Sequence, residues 1–283
     1  MQLKELYTFG KNNLSLDSIE TPGLEAYLLL SKSEVIDDIS EIYAHPEKEV
    51  NEDTIGKFQE LLKRRINREP IAYITGEKEF YSRTYKVSPS VLIPRPETEL
   101  LVDETLKLAN QLETPLILEI GTGSGCVATS IAANCSNAKI VATDISETAL
   151  KVARENIVVH GQNDRVTLKK ADILASFKDN SFDIIISNPP YVSEIAFDTL
   201  EPEVKDYEPK IALTAGEDGL LYINRIISDS RNVLKNGGWC VLEIGFDQKE
   251  KVEKIFTDYG FTEISSKKDI NGIERVIKAK WKK

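Results

Sequence analysis

The chain has 283 residues, 29% of them charged and 41% hydrophobic, enough to bury a sizeable core without disulfide support. A formal net charge of −10 argues against a protein whose affinity comes mainly from neutralising phosphates. No apolar run approaches the roughly 20 residues of a membrane-spanning helix, and the amino terminus lacks the layout of a signal peptide. Cys126, Cys135 and Cys240 have no metal-ligand spacing and are expected as reduced, buried thiols of a cytoplasmic protein.

Residues 1–74 read as a small helical bundle. Pro22 opens an apolar run over 24–30, and Val35, Ile36, Ile39 and Ile42 continue it at helical spacing until His45-Pro46 breaks the pattern. A second helix is expected over about 51–67, with Ile55, Phe58, Leu61, Leu62 and Ile66 on one face. Lys63-Arg64-Arg65 with Arg68 is the only basic cluster; flanked by Glu60 and Glu69, it reads as a solvated helix face. No nucleophile, metal or glycine-loop pattern appears here, so the bundle's expected role is positioning a partner or substrate.

Over 75–93 the period changes to two, through Phe80, Tyr85, Val87, Val91 and Ile93, with Ser88-Pro89-Ser90 as a turn. This predicts a β-hairpin linker. Pro94-Arg95-Pro96-Glu97-Thr98-Glu99 follows and leads into an apolar helix. Pro96 suits a first helical position and the two glutamates suit the positive end of the helix dipole, which leaves Arg95 and the doubled proline unexplained.

From 115 onward, strands and helices alternate, which implies a parallel, doubly wound sheet. The strand 116–120 runs into Gly121-Thr122-Gly123-Ser124-Gly125 and a helix, and the next strand ends at Asp144. This loop is not the dinucleotide fingerprint, because Cys126 and Val127 follow where that pattern has its third glycine, and no Lys-Ser/Thr makes it a P-loop. Asp144, 23 residues after Gly121, is placed to accept hydrogen bonds from ribose hydroxyls. A ribose-bearing cofactor without a pyrophosphate fits this combination best, namely S-adenosylmethionine. The competing reading is a structural glycine turn with a chance acid.

Ser146 is an expected N-cap and Gly161 an expected stop for the following helix, with His160 in its last turn and no catalytic role. Asp172 ends a third strand, where its carboxylate could accept from an adenine amino group while Ile173 packs on the ring. A fourth strand, 182–187, stops at Asn188-Pro189-Pro190-Tyr191 because two prolines cannot continue a ladder. A rigid loop at a strand's carboxyl end is where open α/β sheets place ligands. Residues 192–217 form a long acidic loop, expected to gate substrate. A helix over 219–234 ended by Asn236-Gly237-Gly238, then strands 239–245, 261–265 and 274–279, complete the sheet.

Asn188, Pro189 and Tyr191 are the candidate catalytic residues. An amide or exocyclic amine nitrogen has a delocalised lone pair and attacks a sulfonium methyl poorly. Two acceptors, the Asn188 side-chain oxygen and a backbone carbonyl near Pro189, would orient its hydrogens and favour the polarised nitrogen of the transition state. Tyr191 would pack on the planar group. No metal or general base is required, because the nitrogen becomes strongly acidic once methylated.

These loops resemble those of the class I S-adenosylmethionine-dependent methyltransferases. More specifically, Phe80-Tyr81-Ser82, Val87-Ser88-Pro89, the 92–99 run, the glycine loop, Asn188 to Tyr191, and Asp269, Gly272 and Glu274-Arg275-Val276 resemble the bacterial peptide chain release factor glutamine methyltransferases, over about 25–280. The resemblance implies a Rossmann-like seven-stranded sheet preceded by a helical bundle, and N5-methylation of the glutamine in the Gly-Gly-Gln motif of class I release factors, with S-adenosylhomocysteine as product. It implies cofactor contacts from Gly121, Thr122, Gly123, Ser124, Gly125, Asp144, Asp172, Ile173 and Asn188. Ile173 stands where the family carries an adenine-contacting residue, often aromatic. The substrate contacts implied are Asn188, Pro189, Pro190, Tyr191, Arg95 and Glu97. Residues 1–74 become a release factor-recognition domain, 75–93 a linker and 94–283 the catalytic domain of an expected monomer. The alternatives are an amine methyltransferase acting on nucleic acid or a small molecule with the same site, and a non-catalytic module that binds S-adenosylmethionine or a partner.

Overall fold

The computed structural model describes residues 1–16, 19–174 and 177–283. They form two compact units, one of Met1–Glu77 with Glu201–Tyr207, the other of Lys78–Leu200 with Glu208–Lys283.

The first unit packs α1 (Leu3–Leu16), α2 (Pro22–Lys32), α3 (Glu41–Ala44), α4 (Glu52–Ile66) and α5 (Ile71–Thr75) around Leu6, Leu14, Leu29, Phe58 and Leu62. Within the expected bundle the sequence reading places no individual helix before Pro22, although Leu3, Leu6, Gly10 and Leu14 recur at spacings of three and four and are all buried. A Cβ on Gly10 would lie 2.6 Å from the Phe58 ring, so glycine sets how closely α1 and α4 approach. The run expected as one helix from Pro22 to Ile42 breaks after Lys32, where Glu34 turns into the left-handed region at φ 62°. Asn51 caps α4 by accepting from Thr54 N at 2.9 Å. The basic cluster is not wholly solvated. Arg65 is buried and donates to Glu25 at 2.6 Å and to Glu203 at 3.2 Å, while Arg68 donates to Glu203 at 2.8 Å. Tyr207 donates to Asn67 O at 2.6 Å. The segment 201–207, expected within the catalytic domain, thus belongs to the helical unit.

In the second unit, β1 (Glu77–Phe80) and β2 (Arg83–Lys86) form the hairpin. Its turn is Tyr81-Ser82, both at positive φ (50° and 57°), the mirror-image conformation that matches strand twist. Ser88-Pro89-Ser90 also turns, with Val91 N donating to Ser88 O at 3.0 Å, but only after the hairpin has closed. Phe80 and Tyr85 are fully buried with Leu101, Ile117 and Val127, so most of the segment expected as a linker is built into this unit's core.

Among the described residues one sheet contains β3 (Leu116–Ile120), β4 (Lys139–Asp144), β5 (Val166–Lys170), β6 (Phe182–Ser187), β7 (Leu234–Glu243), β8 (Thr262–Lys268) and β9 (Glu274–Lys280). Their order is β5-β4-β3-β6-β7-β9-β8, with β9 antiparallel to both neighbours and the first five strands parallel. Ile117, Ile184 and Ile186 face α6 (Glu99–Ala109) and α7 (Cys126–Asn134); Leu118 and Ile185 face the helices Leu221–Val233 and Lys249–Asp258. Both faces are covered, which is why these strands read as continuous apolar runs rather than alternating ones. Strand β7 begins earlier than expected and passes through Gly237 and Gly238. The 192–217 loop carries short helices at Glu194–Phe197 and Pro202–Tyr207.

The sheet's order reverses between β3 and β6. Their carboxyl ends are tied together by Ser187 Oγ donating to Ile120 O at 2.8 Å. The glycine loop leaves one strand and the Asn-Pro-Pro-Tyr loop the other, so the two candidate motifs meet at the switch point.

Candidate active site

A cavity of about 330 Å³ opens at this switch point, within the second unit. All five residues from Gly121 to Ser124 and Cys126 line it, as do Asp144, Asp172, Ile173, Asn188, Pro189, Pro190 and Arg95. Gly125, Glu97 and Tyr191 do not line it.

The glycine loop folds as it does because Gly121, Gly123 and Gly125 all sit at positive φ (72°, 53° and 77°). Gly125 has a packing role too, since a Cβ there would lie 3.2 Å from the Ala153 backbone on α8 (Glu147–Val159). Asp144 closes the loop: Oδ2 accepts from Gly123 N and Oδ1 from Ser146 N, each at 2.9 Å. Each oxygen keeps a second lone pair, the acceptor pair that a ribose diol needs. Ser146 caps α8 as expected, accepting from Ala149 N at 3.2 Å.

Glu119 is a wall residue that the sequence reading missed. It is buried, accepts from Thr122 Oγ1 at 2.7 Å, and burial pushes its carboxyl up to about 8, with the Asp144 charge adding to the rise and Thr122 opposing it. Its only sequence signal is an acid one residue before the end of an otherwise apolar strand. A cationic ligand group beside it would draw out the carboxylate form.

Asp172 lies past the end of β5, and its two oxygens face Arg225 at 3.4 and 3.3 Å, so the acid expected to meet an adenine amino group already has a cationic partner. Ile173 is buried at φ 51°, a costly conformation for a β-branched residue, held here at the cavity wall. Tyr222 and Arg225 line the same end and come from the helix Leu221–Val233, too far along the chain for the motifs to announce them.

At the other end, Asn188 Nδ2 donates to Thr98 Oγ1 at 3.1 Å. Tyr191 donates its hydroxyl to Glu243 Oε1 at 3.3 Å, and burial raises its phenol well above the usual range. Its carbonyl accepts from Gln248 Nε2 at 3.1 Å, and Gln248 also donates to Gly219 O at 3.2 Å and accepts from Gly245 N at 2.9 Å. A Cβ on Gly219 would stand 2.3 Å from Tyr191 O. Gln248 and Gly219 therefore set the backbone of the Asn-Pro-Pro-Tyr loop. Arg95 pairs with Glu208 and donates to Ile93 O at 2.8 Å, while Ile93 N donates to Glu208 at 3.1 Å. This closed knot gives Arg95 a structural task that the sequence left open. His160 faces Thr84 O at 3.0 Å and packs on Tyr85, away from this chemistry.

The cavity thus has a carboxylate held behind a glycine loop at one end and Asn188 and Pro189 at the other. Residues 96–201 match the family described as "Methyltransferase small domain", and residues 5–76 match "PrmC N-terminal domain". A release factor glutamine methyltransferase of Koribacter versatilis is 38% identical over 278 residues, covering 98% of each chain. The chain belongs to the release factor glutamine methyltransferase family. A further member, from Caulobacter vibrioides, is 37% identical and spans 98% of this chain and 96% of its own. The fold is also that of a crystallised methyltransferase from Pyrococcus furiosus, at a TM-score of 0.52 and 19% identity over 70% of this chain and 89% of that one. Among the described residues no helix is long and apolar enough to cross a membrane.

Proposed function

We propose that this methyltransferase transfers a methyl group from S-adenosylmethionine to the side-chain amide nitrogen of the glutamine in the Gly-Gly-Gln motif of class I release factors. The observation that carries the reading is Asn188 at the wall of the cavity with its nitrogen already committed to Thr98, leaving its oxygen for a substrate amide. The cofactor supplies an electrophilic methyl on a sulfonium sulfur. Asp144 would hold the ribose, the 121–125 loop would let the backbone approach closely, and Ile173 would pack on the adenine. Glu119 lies on the same wall, suited to a cationic group.

Asn188 Oδ1 and the Pro189 carbonyl then accept the two hydrogens of the glutamine amide. Both acceptors strengthen as the nitrogen gains positive character, so they favour the transition state over the ground state. Held in this way, the nitrogen stays in line with the methyl. Its surplus proton leaves to solvent after transfer, when the nitrogen is strongly acidic. The helical unit would recognise the release factor, its partner in the cytoplasm. The net charge of −10 speaks against a nucleic-acid substrate, as does membership of this family.

Incubation with labelled S-adenosylmethionine and, in parallel, a class I release factor, total tRNA, ribosomes and DNA tests the assignment. Label is expected on the release factor glutamine; label appearing only in nucleic acid would overturn it.

A further inference from the structure

Asn188 and Pro189 carry the proposed chemistry, but neither Pro189 nor Pro190 has an N–H by which the fold could hold it. The loop has to be fixed from its two ends. On one side Ser187 Oγ donates to Ile120 O at 2.8 Å, and Asn188 Nδ2 donates to Thr98 Oγ1 at 3.1 Å. On the other side stands Tyr191, whose flat face reads, from sequence, as a stack for the substrate amide. The structure gives it another task. Tyr191 does not line the cavity; it packs against the core that contains Leu242, Ile244 and Val252. Its hydroxyl donates at 3.3 Å to Oε1 of Glu243, which is 1% exposed. Its carbonyl accepts at 3.1 Å from Nε2 of the buried Gln248.

We propose that Tyr191 is a positioning residue: pinned by Glu243 and Gln248, it anchors the loop that carries the Asn188 and Pro189 oxygens, and its ring does not stack on the substrate. The inference rests on the amide-methylation reading above and deepens it. Each proline fixes its own φ and restricts the residue before it, so the segment from Asn188 to Tyr191 is stiff. A shift at Tyr191 is therefore carried back to the Pro189 carbonyl and the Asn188 side chain. Displacement of an orienting group by even an ångström is costly in a reaction that needs its atoms in line.

Gln248 is matched to its place. Its two N–H₂ hydrogens serve two carbonyls, Tyr191 O and, at 3.2 Å, Gly219 O, while its oxygen accepts from Gly245 N at 2.9 Å. Gly219 sits at φ 74°, and a Cβ there would stand 2.3 Å from Tyr191 O, so only glycine lets this carbonyl keep its place. Tyr191 is thus gripped both at its backbone and at the tip of its ring. A stacking role needs only the ring, which phenylalanine keeps. An anchor needs the hydroxyl, which phenylalanine lacks.

The experiment compares wild type, Tyr191→Phe, Glu243→Gln, Glu243→Met and the double variant Tyr191→Phe/Glu243→Met on an intact release factor. It reads kcat, KM and the dissociation constant of S-adenosylhomocysteine. Tyr191→Phe should lower kcat about tenfold, the scale of one buried hydrogen bond, with KM and product affinity each within about twofold. Glu243→Gln keeps an oxygen to accept from the hydroxyl and should recover most of the loss seen in Glu243→Met. The double variant should fall no more than about twofold below the slower single variant, because both changes remove the same bond. Tyr191→Phe within twofold of an active wild type in kcat, or losses that multiply in the double variant, overturns the anchor alone. A loss of product affinity in parallel with kcat would mark a merely structural role and overturns it as well. A wild type inactive on the release factor overturns the functional reading and this inference with it.

Discussion

The two ends of the cavity are held in different ways. At the Asp144 end, the carboxylate grips backbone N–H groups of Gly123 and Ser146, and the loop's shape comes from glycines at positive φ. At the Asn188 end, orientation comes from side chains: Thr98 is 90 residues away in sequence from Asn188, and Glu243 is 52 away from Tyr191. A ligand that recurs across many enzymes can be held by local backbone. At the Asn188 end the contacts that hold the side chains exist only once segments distant in sequence have packed together.

The sharpest way to break this comparison is to remove the side chain proposed to orient the substrate. Asn188→Ala is expected to cut kcat by about 10²-fold or more with cofactor affinity largely kept, comparable to losing an oxyanion donor. Turnover within threefold of wild type, measured at saturating cofactor, would show that the Asn188 end is no more than a shaped wall. Asp144→Asn should invert that pattern. Losing a charged acceptor should weaken the cofactor about tenfold or more in titration calorimetry, with a smaller effect on kcat at saturation. Equal damage to both parameters would mean the two ends are not separable.

A smaller effect concerns Glu119, the buried acid on the cavity wall. Its folded-state pKa of about 8 stands above its ordinary value of 4.5, so the neutral form is favoured by folding. The associated stability is complete below the unfolded value and is lost as pH rises through about 8. Cofactor-free wild type should therefore lose several degrees more in Tm than Glu119→Gln as pH is raised from 5 to 9, a shift readable for a domain this size. Parallel curves for the two proteins would show that Glu119 does not carry this dependence.

Much of the second unit was legible because each cue acts over a few residues. Phe182 to Ser187 is a strand, and it stops where Pro189 and Pro190 remove the donors of a ladder. Ser146 and Gly161 bound a helix as their local chemistry requires. The first unit was harder. Helix α1 hides its apolar stripe among polar residues, and Arg65 looked exposed because its partners, Glu25 and Glu203, lie 40 and 138 residues away. The hairpin turn was placed at Ser88-Pro89-Ser90 because proline marks turns, whereas Tyr81-Ser82 adopts left-handed conformations with no glycine to signal them.

By itself the sequence determined the alternating strand–helix order, the glycine loop, Asp144 and the Asn-Pro-Pro-Tyr stop. Each follows from backbone rules that operate within one turn or one strand end. Only the tertiary structure decided that Glu119 and Glu243 are buried acids, that Asn188 is held by Thr98 and Tyr191 by Glu243, that Arg95 is tied to Glu208, and that residues 201–207 belong with the helical unit. Burial and donor–acceptor pairing are properties of what lies opposite a side chain, and the chain's order does not contain that information until the sheet has brought its distant ends together.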